Sequence, residues 1–271
     1  MSDDIEKKAK RKRRSSGRRI KRDDLKKGIY VLPNLLTTMA LMSGFFSIIS
    51  SISGHYIHAV WAIFFSVLFD SMDGKVARLT HTESEFGVQY DSLADLISFG
   101  MAPGILMYLW ALTPYERLGW LGAALYVICT ALRLARFNVQ VSTVDKKYFL
   151  GIPSPGAALV NASTILFIIN MGISVEYLRF FLLLLMYGTG LLMVSNIKYF
   201  SFKDLDVSQR RPVNVLVLII LVAIFIATKP EIMLFTMFSM YALSGPLGYL
   251  YMVLTGRSKE FEELDAEEQI G

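Results

Sequence analysis

The sequence predicts an all-α integral membrane protein with about eight transmembrane helices. Of its 271 residues, 54% are hydrophobic and 19% are charged, whereas soluble domains have roughly 45–50% and about 25%. The mean hydropathy is +0.45. The charge is unevenly spread, because thirteen of the 28 Lys and Arg residues lie between Lys7 and Lys27. These properties exclude a cytosolic globular enzyme, a disulfide scaffold and a DNA-binding domain, so no nucleic acid partner is expected.

Eight segments of the chain are long and apolar enough to be transmembrane helices, for which about 20 residues are needed. The fifth and seventh are the shortest. Loops between neighbouring segments are short, so consecutive helices are expected to run antiparallel. The segments are residues 31–53, 55–76, 91–112, 118–139, 155–171, 177–199, 213–228 and 231–254.

The distribution of basic residues predicts that both termini are cytoplasmic. An even number of spans places the two termini on the same side of the membrane. With that side cytoplasmic, 25 Lys and Arg residues lie inside and only Arg117, Arg179 and Lys229 lie outside, as the positive-inside rule requires. Removing one span would place basic loops on the wrong side, so the charge pattern also favours the span count.

The two ends of the chain are polar. Residues 1–29 form a basic cytoplasmic tail, either a topology determinant alone or an arm that binds anionic lipid headgroups. Residues 257–271 form an acidic, solvated tail. No cleavable signal is expected, because about twenty polar residues precede the first apolar run. Cys129 is the only cysteine, so an internal disulfide is excluded.

Four aspartates lie at the facing ends of the second and third predicted spans. Asp70 and Asp73 are three residues apart, and Asp91 and Asp95 are four apart, so each pair shares a helix face. Because the two spans are antiparallel neighbours, all four carboxylates are expected to converge near the cytoplasmic boundary. Ionisable groups in a span are costly and mark function.

Four converging carboxylates favour a site for divalent cations. The negative charges would repel one another without a cation between them, and hard ions prefer oxygen ligands. Four carboxylates suit two ions that share ligands. An all-oxygen set favours Mg²⁺ or Mn²⁺, with Ca²⁺ also possible, over Zn²⁺. In the alternative interpretation, the aspartates cap helices or pair with Lys75 and Arg78.

Residues near the aspartates suit a ligand that carries nucleotide and phosphate groups. Gly74 follows Asp73 and lacks a side chain, which permits close approach of a base or phosphate. Arg78 is one helical turn further on and is able to clamp a phosphate. Gly87 offers the same close approach, or it is an ordinary loop glycine.

The pattern D-x2-D-G-x2-A-R-x8-G-x3-D-x3-D in this region resembles the motif of the CDP-alcohol phosphotransferase family. Every spacer has the family's length. The eight fixed positions are Asp70, Asp73, Gly74, Ala77, Arg78, Gly87, Asp91 and Asp95.

This resemblance implies a membrane enzyme that transfers a phosphoalcohol from a CDP-linked donor to a hydroxyl acceptor and releases CMP. It also implies a six-helix catalytic core, a homodimer and a site for two metal ions. By the resemblance Asp70, Asp73 and Asp91 bind metal, and Asp95 both binds metal and acts as the general base.

The flanking segments resemble the phosphatidylserine synthase branch of the family. They assign residues 30–205 to the catalytic core and leave residues 206–256 as two additional transmembrane helices. The chain departs from the pattern at residues 39–44, where no second asparagine occurs, and at Gly156, where alanine is expected. The similar segments are residues 32–37, 91–103, 132–138, 151–155 and 193–203.

The resemblance implies residues for both substrates. For the donor, CDP-diacylglycerol, these residues are Asn34, Thr37, Gly74, Ala77, Arg78, Ser84 and Gly87.

The acceptor implied by the branch is L-serine, and Arg133 and Arg136 are the candidates to hold its carboxylate or a phosphate. Alternatively, the two arginines only snorkel to the interface. The expected products are phosphatidylserine and CMP, formed at the cytoplasmic face of a prokaryotic cell membrane. Alternatives are another acceptor (glycerol 3-phosphate, inositol phosphate or choline) or a membrane transporter without enzymatic activity.

Overall fold

The computed structural model of the chain describes residues 32–80, 84–140, 148–200 and 228–255. These residues form helices and one pair of three-residue strands. The helices are α1 Leu32–Ile52, α2 Tyr56–Thr80, α3 Glu85–Tyr115, α4 Arg117–Gln140, α5 Ser154–Asn170, α6 Val175–Val194 and α7 Pro230–Leu254, and the strands are β1 Tyr148–Leu150 and β2 Lys198–Phe200.

The helices confirm the all-α membrane class. Within the described residues, α1, α2, α3, α4, α6 and α7 are each long and apolar enough to cross a membrane, and α5 is a shorter apolar helix. The predicted span at residues 213–228 lies almost entirely outside the described residues, as do both tails. The total of eight helices and the cytoplasmic position of the termini therefore stay predictions.

Helix bounds differ from the predicted spans at the end of the bundle where α2 ends and α3 begins. There α2 continues to Thr80 instead of residue 76, and α3 begins at Glu85 instead of residue 91. The Ser84 side chain caps α3 by accepting a hydrogen bond from the Gly87 amide at 3.0 Å. The hydropathy pattern missed these turns because their residues are polar, and the turn of α3 is stabilised by a cap and not by burial.

The sixth predicted span also needs correction at its end. It was expected to continue to residue 199, but α6 ends at Val194 and residues 198–200 form β2, which pairs antiparallel with β1. Gly151 donates its amide to the Ile197 carbonyl at 2.8 Å, and Ile152 donates to the Leu192 carbonyl at 3.2 Å. These bonds fix the start of α5 against the end of α6.

Helix α3 is not regular along its length. An α-helical segment ends at Asp95, and the next six residues, Leu96–Met101, are π-helical. A second π-helical segment, Tyr108–Leu112, follows after one α-helical stretch. Such segments are frequent at functional sites, and the first begins directly after the predicted general base.

Small residues bring α1 close to α2 and α3. The Ser66 and Ser98 hydroxyls both donate to the Ala40 carbonyl, at 2.8 and 3.1 Å. A Cβ atom on Gly44 would lie 2.7 Å from Ser98 Cα, so only glycine permits this separation of the backbones. Small residues at a helix interface allow this close approach in membrane proteins.

Helix α5 is the centre of the bundle. Thirteen of its 17 residues are buried. It packs against α2, α6 and α7. Its central position explains its short length, because protein surrounds it on most sides. Polar groups in this helix are therefore held inside the protein and away from lipid.

Candidate active site

Three of the four predicted metal ligands converge. Carboxylate oxygens of Asp70, on α2, and of Asp91 and Asp95, on α3, all lie within 4.8 Å of one another. The i, i+4 spacing on α3 and the short connection to α2 produce this arrangement, as the sequence predicts. We call these three residues the acidic cluster.

Asp73 lies beside the acidic cluster and is bound differently. It is only 5% exposed, and the Thr37 hydroxyl lies 2.7 Å from its Oδ2. The same hydroxyl lies 3.1 Å from the Pro33 carbonyl at the start of α1. Thr37, predicted as a donor-binding residue, thus holds Asp73, and one carboxylate oxygen of Asp73 is already engaged.

The donor set of the acidic cluster fits a divalent cation. The Asp70 and Asp95 carboxyl groups lie within hydrogen-bonding reach of each other. Asp91 Oδ1 is buried and has no hydrogen-bond partner among the described residues. Like charges this close need a proton or a cation between them, and an unpartnered carboxylate oxygen beside them is a suitable ligand for a hard ion.

Gly74 and Arg78 lie on the exposed side of α2 next to the aspartates. A Cβ atom on Gly74 would meet only the Arg78 Nη2, at 4.0 Å, so the space above Gly74 is open. The Arg78 Nε donates to the Gly74 carbonyl at 2.9 Å, and no carboxylate in the described part of the chain pairs with this guanidinium. Ala77, part-buried, lies on the same turn.

The start of α1 contacts the start of α3. A Cβ atom on Gly87 would lie 3.1 Å from Ser84 Oγ and 3.5 Å from Asn34 Oδ1. The Thr38 and Tyr90 hydroxyls are 3.0 Å apart. Asn34, Ser84 and Gly87 therefore lie together, as expected for residues that act on one ligand.

The two acceptor candidates are in different surroundings. Arg133 donates through Nη1 to the Ser154 hydroxyl at 3.0 Å, and its buried Nε has no partner among the described residues. Its electrostatic neighbours include Asp95. Arg136 instead donates through Nη2 to Asn196 Oδ1 at 2.9 Å, near the surface.

Sequence reasoning missed several polar side chains near Arg133. Ser154, which accepts the Arg133 bond, begins α5 within the quoted segment 151–155, where its role was not inferred. Asn161, on the same helix, is fully buried and donates to the Ala157 carbonyl and to the Thr189 hydroxyl. An asparagine within an apolar span was the available sign. Tyr241, on α7, had no sign in the sequence.

The chain is similar in sequence to named bacterial and archaeal proteins. A CDP-diacylglycerol–serine O-phosphatidyltransferase of Helicobacter pylori is 36% identical, over 83% of this chain and 94% of the relative. The archaetidylserine synthase of Methanothermobacter thermautotrophicus is 39% identical, over 62% of this chain and 69% of the relative. A CDP-diacylglycerol–serine O-phosphatidyltransferase of Mycobacterium leprae is 29% identical, over 73% and 67%.

The match to a family covers the part of the chain that contains the acidic cluster. Residues 30–194 match CDP-alcohol phosphatidyltransferase, and this range includes α1 to α6 but not α7. The aspartates, Gly74, Arg78 and Gly87 all lie within it. By this match and by its relatives, the chain belongs to the CDP-alcohol phosphatidyltransferase family.

Proposed function

We propose that this protein transfers the phosphatidyl group of CDP-diacylglycerol to the hydroxyl of L-serine, giving phosphatidylserine and CMP. The observation that carries the proposal is the acidic cluster, with three carboxylates within 4.8 Å, in a family member. The relatives named for this reaction support serine as the acceptor.

The test is CMP release from CDP-diacylglycerol with and without serine. Glycerol 3-phosphate, inositol phosphate and choline are supplied one at a time as alternative acceptors. Release that depends on serine supports the proposal. Release only with another acceptor rejects serine but keeps the reaction class, and no release with any acceptor rejects the enzyme.

Asp70, Asp73, Asp91 and Asp95 would hold two divalent ions, Mg²⁺ or Mn²⁺, with Ca²⁺ possible. Bound ions supply charge neutralisation for the pyrophosphate and for the leaving CMP. The buried, unpartnered Asp91 Oδ1 supports this assignment. Thr37 keeps Asp73 oriented toward the same place through the 2.7 Å hydrogen bond.

The donor headgroup would lie over the exposed turn of α2. Gly74 leaves space for the nucleotide, and the Nη groups of Arg78 face a phosphate while its Nε is fixed by the Gly74 carbonyl. Asn34, Ser84 and Gly87 line the other side, at the start of α3. Ala77 completes the turn with a side chain small enough for close approach.

Changing Gly74 to Leu or Arg78 to Ala is expected to weaken donor binding. Leucine fills space that is open in the protein, so its effect falls on the ligand. Loss of a charge-assisted bond worth about 1.5–3 kcal/mol raises the KM for CDP-diacylglycerol about 10- to 150-fold. Arg78→Lys should rescue only partly, because a point charge does not replace a planar fork.

The measurement is the donor KM at saturating serine. Lys75→Ala is the matched control, since Lys75 is an exposed base on α2 that is not one of the eight motif positions. Unchanged donor KM in the Gly74 and Arg78 variants would remove both residues from the donor site.

The chemical step needs a base next to the acceptor hydroxyl, and Asp95 would take that role. The serine oxygen bonds to the phosphorus of the phosphatidyl group, the bond from that phosphorus to the CMP oxygen breaks, and the hydroxyl proton moves to the Asp95 carboxylate. Arg133, an electrostatic neighbour of Asp95, would hold the serine carboxylate. The protein contributes mainly by positioning these groups.

Arg133→Ala is expected to raise the serine KM about 10- to 150-fold, through the loss of about 1.5–3 kcal/mol of charge-assisted hydrogen bonding. Donor KM should change little. Arg136→Ala is the matched control, expected to change serine KM by less than about threefold because this arginine bonds Asn196 near the surface. A raised donor KM with serine unaffected would assign Arg133 to the donor phosphate instead.

The active site would face the cytoplasm of a prokaryotic cell, with the protein in the cell membrane as a homodimer. The distribution of basic residues supports this orientation, and family resemblance supports the dimer. A cysteine introduced at Ser84, in the exposed turn before α3, tests the orientation. Labelling by an impermeant reagent in inverted vesicles but not in intact cells is the expected result.

A further inference from the structure

Helix α7 lies outside the family match, yet it packs beside the active site. It runs along α5, where the rings of Phe235 and Phe167 stack with centroids 4.5 Å apart. The Phe238 ring lies 6.2 Å from that of Phe64 on α2. These contacts attach α7 to α2, which carries Asp70, and to α5, which carries Ser154.

Strand β2 fixes the position of α7 along its own axis, through one hydrogen bond. The fully buried Tyr199 donates its hydroxyl to the Ala242 carbonyl at 3.0 Å. Burial, followed by the proximity of Tyr241, raises the pKa of Tyr199 to about 12, so the hydroxyl keeps the proton that it donates. A Cβ atom on Gly245 would lie 2.7 Å from Tyr199 Cε2, so the helix backbone is in direct contact with this ring.

The result of this anchoring is the position of Tyr241. Its ring centroid is 5.6 Å from that of Tyr199. On its other side, a Cβ atom on Gly156 would lie 3.3 Å from Tyr241 Cε1. Glycine at 156, where the family resemblance led us to expect alanine, therefore gives the tyrosine ring room against the first turn of α5.

Tyr241 and Asp95 are both electrostatic neighbours of Arg133. Arg133 is tied to Ser154, two residues before Gly156, through Nη1 at 3.0 Å. Its buried Nε has no partner among residues that the structure describes. A buried guanidinium N–H without a partner is costly. This N–H belongs to a guanidinium that interacts electrostatically with both Asp95 and Tyr241.

We propose that Tyr241, supplied by the C-terminal helix, is a positioning residue that orients the Arg133 guanidinium toward the acceptor beside Asp95. This inference rests on the proposed function. The Tyr241 ring packs against the first turn of α5, which also carries the Ser154 hydroxyl that holds the guanidinium, and Tyr241 interacts electrostatically with the charge of Arg133. The acceptor class is a small zwitterion with a carboxylate, which the Arg133 Nε–H, unpartnered among the described residues, is able to bind. Acceptor binding thus depends on a helix outside the family match.

The test is a double-mutant cycle between Tyr241→Phe and Arg133→Ala, measured as CMP release in the metal-loaded full-length protein. Tyr241→Phe keeps the ring and removes only the hydroxyl. It is expected to raise serine KM about 3- to 10-fold, with donor KM unchanged. In the Arg133→Ala background the same change should have no further effect, because a positioning residue that acts only through Arg133 has nothing left to position.

Two further variants sharpen the cycle. Gly156→Val displaces the Tyr241 ring from the other side and should raise serine KM in the same direction. Tyr249→Phe is the matched control, an exposed tyrosine on the same helix, and should leave both KM values unchanged. Melting temperatures in detergent separate loss of folding from loss of acceptor binding.

Each outcome decides one question. Additive effects of Tyr241→Phe and Arg133→Ala, or an unchanged serine KM in Tyr241→Phe, would overturn the inference while the proposed function stands. If wild-type protein ignores serine and consumes glycerol 3-phosphate, the proposed function fails. The cycle measured with that acceptor then decides whether Tyr241 acts through Arg133.

Discussion

Asp70→Asn and Asp91→Asn are each expected to reduce CMP release by more than about 100-fold. Loss of a charged ligand at an ion site should exceed the 10- to 100-fold cost of mutating a group that only orients a ligand. Asp73→Asn should have a comparable effect, although its hydrogen bond from Thr37 is able to persist. The protein should still insert, because removing one of several crowded negative charges does not destabilise the helices.

The measurements are turnover and the rise in melting temperature that Mn²⁺ causes in detergent. Both should be lost together in the Asp70 and Asp91 variants, and chelation should reproduce the loss in wild-type protein. Glu85→Gln is the matched control, because Glu85 is an exposed acid six residues before Asp91 on the same helix. Near-native turnover of either variant at low millimolar Mg²⁺ or Mn²⁺ would show that the residue is not a ligand.

Gly44→Ala is expected to destabilise the protein by about 1–3 kcal/mol through overpacking. The new Cβ would lie 2.7 Å from Ser98 Cα, and a backbone atom cannot rotate away, so α1 and α3 must separate. Activity should fall as well, because Ser98 is only three residues beyond Asp95. The direction of this change in stability is informative, since replacing glycine by alanine within a helix otherwise stabilises the helix by up to about 1 kcal/mol.

Gly188→Ala on α6 is the control, because no atom lies within 4 Å of a Cβ at that position. Thermal unfolding in detergent and CMP release are measured on both variants. Equal stability of the two variants would mean that α1 and α3 do not approach as closely as the structure shows.

The acidic cluster could be predicted from the sequence because helix periodicity and a short connection fix it. Spacings of three and four residues place carboxylates on one face whatever the details of packing. The bounds of α2 and α3 could not be predicted in the same way. Hydropathy reports where a chain enters an apolar environment, and both helices continue into polar residues; at the start of α3 a serine side chain caps them.

The difference between Arg133 and Arg136 could not be predicted from the sequence. The two arginines are three residues apart and share one face of α4. Only the packing of α5 and α6 against α4 determines that Arg133 bonds Ser154 and that Arg136 bonds Asn196. The position of Tyr241 near Arg133 could not be predicted for the same reason. Its partners come from residues that are 42 to about 110 positions earlier in the chain, and no local pattern encodes such contacts.

The π-helical turn after Asp95 determines the direction in which the first segment of α3, Glu85–Asp95, faces. A π-helical turn is equivalent to one residue inserted into an α-helix, and one residue corresponds to about 100° of rotation. Were the same six residues, 96–101, to wind as a regular α-helix, segment Glu85–Asp95 would rotate by about that angle relative to the buried segment that follows. Asp91 and Asp95 would then turn away from Asp70. The π-helical winding thus sets the rotation of the segment that carries Asp91 and Asp95 relative to the rest of the same helix.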